Sequence, residues 1–275
     1  MEKNVLTVLR WLLIAAIAFI VLVPEYWIFL SSITPQDKIL SSPINYIPQE
    51  PTLDNYKTLF TLMDIPGHAG NTTIILFFSM LLNMVISIPA SYAFARIRFK
   101  GSAAMFAFIF GTTMLPASCT ILPMFELFRS LKLIGNFPGL IILYTSSFIP
   151  FTTLTFITFY AGIPKSIEEA AEIDGAGFFR KMMTIIIPLL KPAIATLLII
   201  TFINGMNEFM IPLIFGNRIK TLSLGITEIP RPTQYHEPWH LISPYASIIL
   251  IPVIMFVFIF EKKIMDGLTS GGIKE

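Results

Sequence analysis

The sequence predicts an all-α membrane protein with six transmembrane helices, and three observations predict it. The 275-residue chain is 55% hydrophobic with 25 Phe, only 13% of it is charged, and its mean hydropathy is +0.75. Six apolar stretches are long enough to cross a hydrocarbon core of about 30 Å. None alternates with period two as a barrel strand does, so each must satisfy its backbone within a helix. A bundle of spans forms one unit whatever its length, and one membrane domain is expected.

The first stretch runs from Trp11 to Leu30 behind Lys3 and Arg10, a pattern that could also open a secretory signal. At about 20 residues it exceeds a signal core of about 7–15, and Glu25-Tyr26-Trp27 stands where a small-residue cleavage site would be. Residues 32–70 form an external segment with Pro35, Pro43, Pro48, Pro51 and Pro66. It is long for a connector and reads either as a docking or covering surface or as a solvated linker. The remaining spans are Thr73 to Phe94, Ala103 to Phe125, Pro138 to Tyr160, Thr184 to Phe215 and Pro244 to Phe260. Pro89, Pro116, Pro123, Pro150, Pro188, Pro192, Pro212 and Pro252 each remove a backbone donor, so bent or broken helices are predicted.

Charge sets the orientation. With the N-terminus inside, eleven Lys and Arg lie on the inner side, from Lys3 and Arg10 through Arg96, Lys165 and Lys181 to Lys274. Seven lie in the longer outer segments. The positive-inside bias therefore places both termini in the cytoplasm. A net charge of +2 with pI about 8.6, spread over short loops, argues against a nucleic-acid partner. The single Cys119 excludes an internal disulfide framework and a cysteine-based metal site.

Polar residues inside spans are costly in lipid, which singles out Asn204, Asn207 and Glu208 in the fifth span and Asn83 in the second. They line a translocation path, or they tie helices together by hydrogen bonds; the residues alone leave both open. Lys191 is expected to snorkel to the inner interface.

Between spans four and five, residues 162–177 read as a short exposed helix. Ser166 can cap it with Glu169 reaching back, and Gly175 or Gly177 supplies a left-handed stop. Ala170 and Ala171 keep one face thin, while Glu168, Glu172 and Asp174 add acidity. Such a helix suits a groove in another protein, though a plain surface turn has the same propensities.

Other signals are set aside. His236-Glu237-Pro238-Trp239-His240 matches the zinc-protease spacing, but Pro238 interrupts the helix that the chemistry needs, and no metal site is expected. Gly135 and Gly139 lie beside Asn136 and Pro138 at the start of a span, which disfavours helix dimerisation through them. Asn71-Thr72-Thr73 is a formal glycosylation acceptor at a membrane boundary and carries no weight. No Gly-x-x-x-x-Gly-Lys occurs, so the chain has no P-loop of its own.

Glu169-Ala170-Ala171, three residues, Gly175, nine residues and Ile185-Ile186-Ile187-Pro188 resemble the EAA signature of ABC importer permeases, with Ile187 where Leu is frequent. The resemblance to the carbohydrate-uptake, maltose-type permeases runs from about residue 31 to the end. It includes Pro51-Thr52-Leu53-Asp54-Asn55-Tyr56, Ala90-Ser91-Tyr92-Ala93-Phe94-Ala95-Arg96, Asn207-Glu208-Phe209 with Pro212, and Gly267-Leu268-Thr269. Met206 departs from a common Trp.

The resemblance implies a type I ABC importer permease fold and a subunit without its own ATPase site. It implies several partners: a second homologous permease, a cytoplasmic ATPase dimer that carries ATP and Mg, and an extracellular solute-binding protein. It makes residues 163–183 the coupling loop, with Ser166, Glu168, Glu169, Ala170, Ala171, Glu172, Asp174 and Gly175 coupling to the ATPase. The C-terminal tail with Gly267, Leu268 and Thr269 is then a second contact with the ATPase, or else a frayed end. The outer loop with Arg231, Tyr235 and Trp239 meets the binding protein. The chain divides into residues 1–70 (first span and external segment), 71–262 (transporter domain) and 263–275 (cytoplasmic tail). The expected cargo is a sugar or oligosaccharide, with glycerol phosphate or another small solute as the alternative and a secondary transporter as the competing class. The expected place is a bacterial or archaeal cytoplasmic membrane.

Overall fold

A computed structural model describes residues 2–43, 45–97, 99–231 and 237–271, and among them the chain is helical with no strand. Contacts divide it into two compact units, Met1–Pro66 with Gly225–Pro252, and Gly67–Leu224 with Val253–Glu275.

The first unit holds α1 (Glu2–Ser32) and α2 (Asp54–Leu62), together with the first half of the last helix. Its apolar centre includes Leu59 and Tyr245, both fully buried. The segment that follows α1 is more structured than its proline content suggests. Asn55 donates from Nδ2 to the carbonyls of Ser32 (3.1 Å) and Thr34 (2.8 Å), and the Tyr56 hydroxyl meets the hydroxyls of Ser32 (2.9 Å) and Ser247 (2.7 Å). These bonds satisfy the carbonyls that α1 leaves open at its C-terminus, which is why α2 folds back on that end.

The second unit begins with α3 (Ile65–Arg96), then α4 (Ser102–Gly111), α5 (Ala117–Ser130) and α6 (Phe137–Ala161). Next come α7 (Lys165–Ile173), α8 (Phe178–Lys181), a π-helical turn (Met182–Ile186), α9 (Ile187–Leu189) and α10 (Lys191–Asn207). Two short helices, α11 (Met210–Phe215) and α12 (Leu222–Gly225), lead to α13 (Trp239–Gly271), which continues into this unit from Val253. Met84 and Tyr92 of α3, Phe156 and Tyr160 of α6, Met182 and Ile186 of the π turn, and Leu197 of α10 form one buried cluster.

Four helices are long and apolar enough to cross a membrane: Leu6–Ser32, Ile65–Arg96, Phe137–Ala161 and Trp239–Phe260. Two further candidate crossings are bent helix pairs, Ser102–Met114 with Cys119–Ser130 at 105° and Phe178–Leu189 with Lys191–Asn207 at 71°. Six spans result when each pair is one crossing. The breaks have causes. Pro116 holds Leu115 extended before α5, and Pro192, at the start of α10, has no N–H to give the carbonyl of Pro188. Pro89, Pro150 and Pro252 instead sit inside continuous helices. The expected fifth span, Thr184 to Phe215, is further divided because Glu208 is extended between α10 and α11.

Packing is uneven, as lipid-facing helices require. Half of the apolar window of α6 is buried and none of that of α1, while Phe77, Phe108 and Phe258 point outward at 61%, 74% and 72% exposure. Lipid is as apolar as these side chains, so shape and polar ties hold the bundle together. Asn83 supplies one such tie. It is fully buried on α3, donates from Nδ2 to Thr152 Oγ1 of α6 at 3.0 Å and accepts from Ser87 Oγ at 3.0 Å.

Candidate functional site

The site is α7 and what holds it. Pro164, with φ −60° and ψ 131°, precedes the helix, and no side chain caps its first turn. The capping box expected of Ser166 and Glu169 is therefore absent. Proline at 164 starts the helix two residues earlier than Ser166 capping would, which leaves Ser166 inside the first turn and exposed.

The C-terminal stop forms as expected. Gly175 adopts φ +76°, its N–H reaches the carbonyl of Glu172 (3.0 Å), and the N–H of Ala176 reaches that of Ala171 (2.9 Å). This is a complete Schellman motif, with glycine at the left-handed position where a Cβ would be strained.

Helical spacing gives α7 two faces. Glu168 and Ala171 point inward at 6% and 5% exposure, whereas Glu169, Ala170, Asp174 and Ile173 are exposed, the last at 87%. Glu168 Oε1 accepts from Arg96 Nε at 2.6 Å, and Oε2 accepts from the Tyr92 hydroxyl at 2.9 Å. Arg96 also donates from Nη2 to the carbonyl of Ile163 at 2.6 Å, just before α7. Lys181 of α8, itself 6% exposed, lies 3.9 Å from Glu168 Oε2 and donates to Glu172 Oε1 at 2.5 Å. The Tyr92 ring makes edge contacts with Tyr160 and Phe178.

Glu168, Arg96 and Lys181 thus join three elements in a region closed to water, with the exposed Glu172 at its edge. There each charge costs solvation and survives because it is paired and hydrogen-bonded. Sequence reasoning placed Glu168 in the loop but missed Arg96, Tyr92 and Lys181. The signal was present: Tyr92 and Arg96 stand four residues apart, on one face of the last turns of a long helix.

The other expected residues are dispersed. Asn204 and Asn207 are exposed on α10. Glu208, half-buried, accepts at Oε1 from the N–H of Ile211 (2.9 Å), while its own carbonyl accepts from the hydroxyls of Ser223 (2.5 Å) and Tyr144 (3.4 Å). Trp239 opens α13 at 44% exposure and borders an open depression of about 470 Å³ with Gln36, Asp37, Leu40 and His240. Arg231 pairs with Glu237 at 3.5 Å, and Tyr235 lies outside the described residues. Because α13 begins at Trp239, Glu237 and His240 share no helix; His236 lies outside the described residues. Gly267, Leu268 and Thr269 fall on the last turns of α13, and their side chains lie outside what is described.

Residues 86–264 match the family described as binding-protein-dependent transport system inner membrane component. The chain is 31% identical over 255 residues to a sulfoquinovosyl glycerol transport system permease protein of Agrobacterium fabrum, covering 92% of this chain and 89% of that one. It is 30% identical over 276 residues to a trehalose/maltose transport system permease protein of Thermococcus litoralis, covering 99% and 97%. A crystal structure of a bacterial ABC transporter involved in the import of the acidic polysaccharide alginate contains a chain that superposes with a TM-score of 0.82. That match is at 21% identity and covers 96% of this chain and 98% of the other, so the fold is shared. The chain belongs to the family of binding-protein-dependent transport system inner membrane components, and it is a multi-pass transport subunit of the cell membrane.

Proposed function

We propose that this permease carries a sugar or oligosaccharide inward by alternating access, driven by a separate ATPase that seats against α7. The observation that carries the reading is the division of α7 into an anchored inner face and a free outer face. Glu169, Ala170 and Ile173 stand clear of the chain while Glu168 and Ala171 hold the helix in place. A thin, partly acidic, partly apolar ridge on a fixed base suits a groove in another protein. Glu169 supplies the polar contact, and Ile173 adds an apolar one that sequence reasoning did not include.

The ATP and Mg belong to that partner. The orientation favoured by the charge distribution puts α7 and both termini in the cytoplasm. A second homologous permease completes the pathway, with Asn204, Asn207 and Glu208 toward the solute. An external binding protein delivers the solute near Arg231 and Trp239. The cargo class rests on the named substrates of the relatives.

The test is reconstitution with candidate ATPase, second permease and binding-protein partners. Vanadate-sensitive ATP hydrolysis stimulated by the loaded binding protein is expected, and a panel of sugars and of glycerol phosphate on that protein identifies the cargo. Solute uptake driven by an ion gradient without ATP would overturn the reading.

A further inference from the structure

We infer that the buried Arg96–Glu168 pair is the joint through which movement of α7 passes to α3, with Tyr92 and Lys181 as positioning residues that fix its geometry. The inference rests on docking at α7 as proposed above, and it concerns residues that the docked partner does not touch.

Location comes first. Arg96 is the last residue of α3, a 32-residue helix that reaches across the membrane, and Glu168 faces it from the inner side of α7. A displacement applied there acts on the end of a rod about 48 Å long.

The geometry is that of a grip rather than a single tie. The Arg96 fork holds the Glu168 carboxylate and the Ile163 carbonyl together, each at 2.6 Å. The second carboxylate oxygen is held by Tyr92 at 2.9 Å, one turn back along the same helix. Attachment at two points a turn apart fixes the rotation of α7 as well as its distance. Lys181 extends the grip to α8, where the next span begins.

Composition excludes the simpler account that α7 is held by ordinary apolar packing. The buried residues of α7 are Glu168 and Ala171, so the inward face offers a carboxylate and a methyl group. A nine-residue helix with so little apolar area is marginal in isolation, and directional charge-assisted bonds must hold it. Such bonds carry both push and pull, whereas packed apolar faces permit sliding. Burial points the same way. Glu168 and Lys181 are closed off within this chain alone, so their charges serve its interior and not a partner's groove.

The test uses the assembled transporter, with Cys119→Ser and a reporter cysteine at Asn204→Cys or Asn207→Cys. Two quantities are read: the amount of ATPase retained on the purified complex, and the change in maleimide labelling of the reporter on adding MgATP and vanadate. With the native joint, the ATPase is retained and labelling shifts. Glu168→Gln keeps the shape of the side chain and one acceptor oxygen, but removes its charge and puts an NH2 donor in place of the second acceptor. It is expected to retain the ATPase and to lose the labelling shift by about fivefold or more, the scale of a typical coupling between sites. Arg96→Gln with Glu168→Gln is expected to be no worse than Glu168→Gln alone, because partners in one interaction are not additive.

A lesion of folding alone would lower retention and leave the shift per assembled complex unchanged. A full shift in docked Glu168→Gln, or effects of the two substitutions that multiply, overturns the joint while leaving the docking reading intact. Should Glu168→Gln prevent assembly, Tyr92→Phe, which removes one hydroxyl from the same carboxylate, decides: a reduced shift supports the joint and an unchanged one overturns it. A native complex that retains no ATPase, or shifts at neither reporter, removes the docking reading and the joint with it.

Discussion

Glu168 and Glu208 are both carboxylates beside membrane spans, and the protein treats them differently. Glu168 is closed off from water between Arg96, Tyr92 and Lys181, where its charge binds one helix to two others. Glu208 sits at a break in a span, half-buried, and its carboxylate accepts from the peptide N–H of Ile211, with no Lys or Arg partner among the described residues. The first arrangement uses charge to make a fixed junction. The second lets a carboxylate cap a short helix and stay near solvent, which leaves it able to change partners. A buried charge answered by cations locks an element in place, and one answered by a peptide dipole does not.

The largest expected effect comes from unlocking the junction. Arg96→Ala leaves Glu168 with Lys181 at 3.9 Å as its nearest cation, and a loss of about 3–5 kcal/mol is expected from thermal unfolding in detergent. A loss below about 1 kcal/mol would mean that water reaches the carboxylate, and the contrast with Glu208 would collapse. Asn83→Ala tests a neutral buried tie. It removes the bond to Thr152 and orphans Ser87, and about 1 kcal/mol is expected by the same measurement, as for other interhelical bonds in membranes. Glu208→Gln keeps an oxygen for Ile211, so stability should change by less than about 1 kcal/mol while transport carries any effect. Normal transport in a normally assembled complex would remove Glu208 from the pathway. Glu169→Ala sits at the small end, within about 0.5 kcal/mol of the native stability because the side chain is exposed. Its expected effect is weaker retention of the ATPase, measured by co-purification; unchanged retention would leave Ala170 and Ile173 as the contact.

Much of the fold was legible because lipid imposes a simple rule on backbone. Long apolar runs had to be helices, and of the eight prolines expected to bend them, Pro116 and Pro192 stand at the breaks of the two bent helix pairs. Pro89, Pro150 and Pro252 foretold nothing comparable, since a continuous helix accommodates a proline when neighbouring groups satisfy the freed carbonyl. Within α7, the glycine stop was legible because a left-handed residue is a local requirement. The N-terminus was not. Ser166 and Glu169 have the spacing of a capping box, but Pro164 sets the start of the helix and its first turn goes uncapped by side chains.

The sequence by itself determined the membrane class, the long apolar helices and the existence of a short acidic helix, but not that Ala171 turns inward while Ala170 stays exposed. Composition, proline and glycine act through the local backbone and the solvent around it, so they can be read without knowing what lies opposite. Only the tertiary structure decided which of two adjacent glutamates faces inward. One residue of helix turns a side chain by about 100°, and which direction is the interior depends on Tyr92 and Arg96, more than 70 positions earlier in the chain. That choice made Glu168 the anchor and left Glu169 free for a partner.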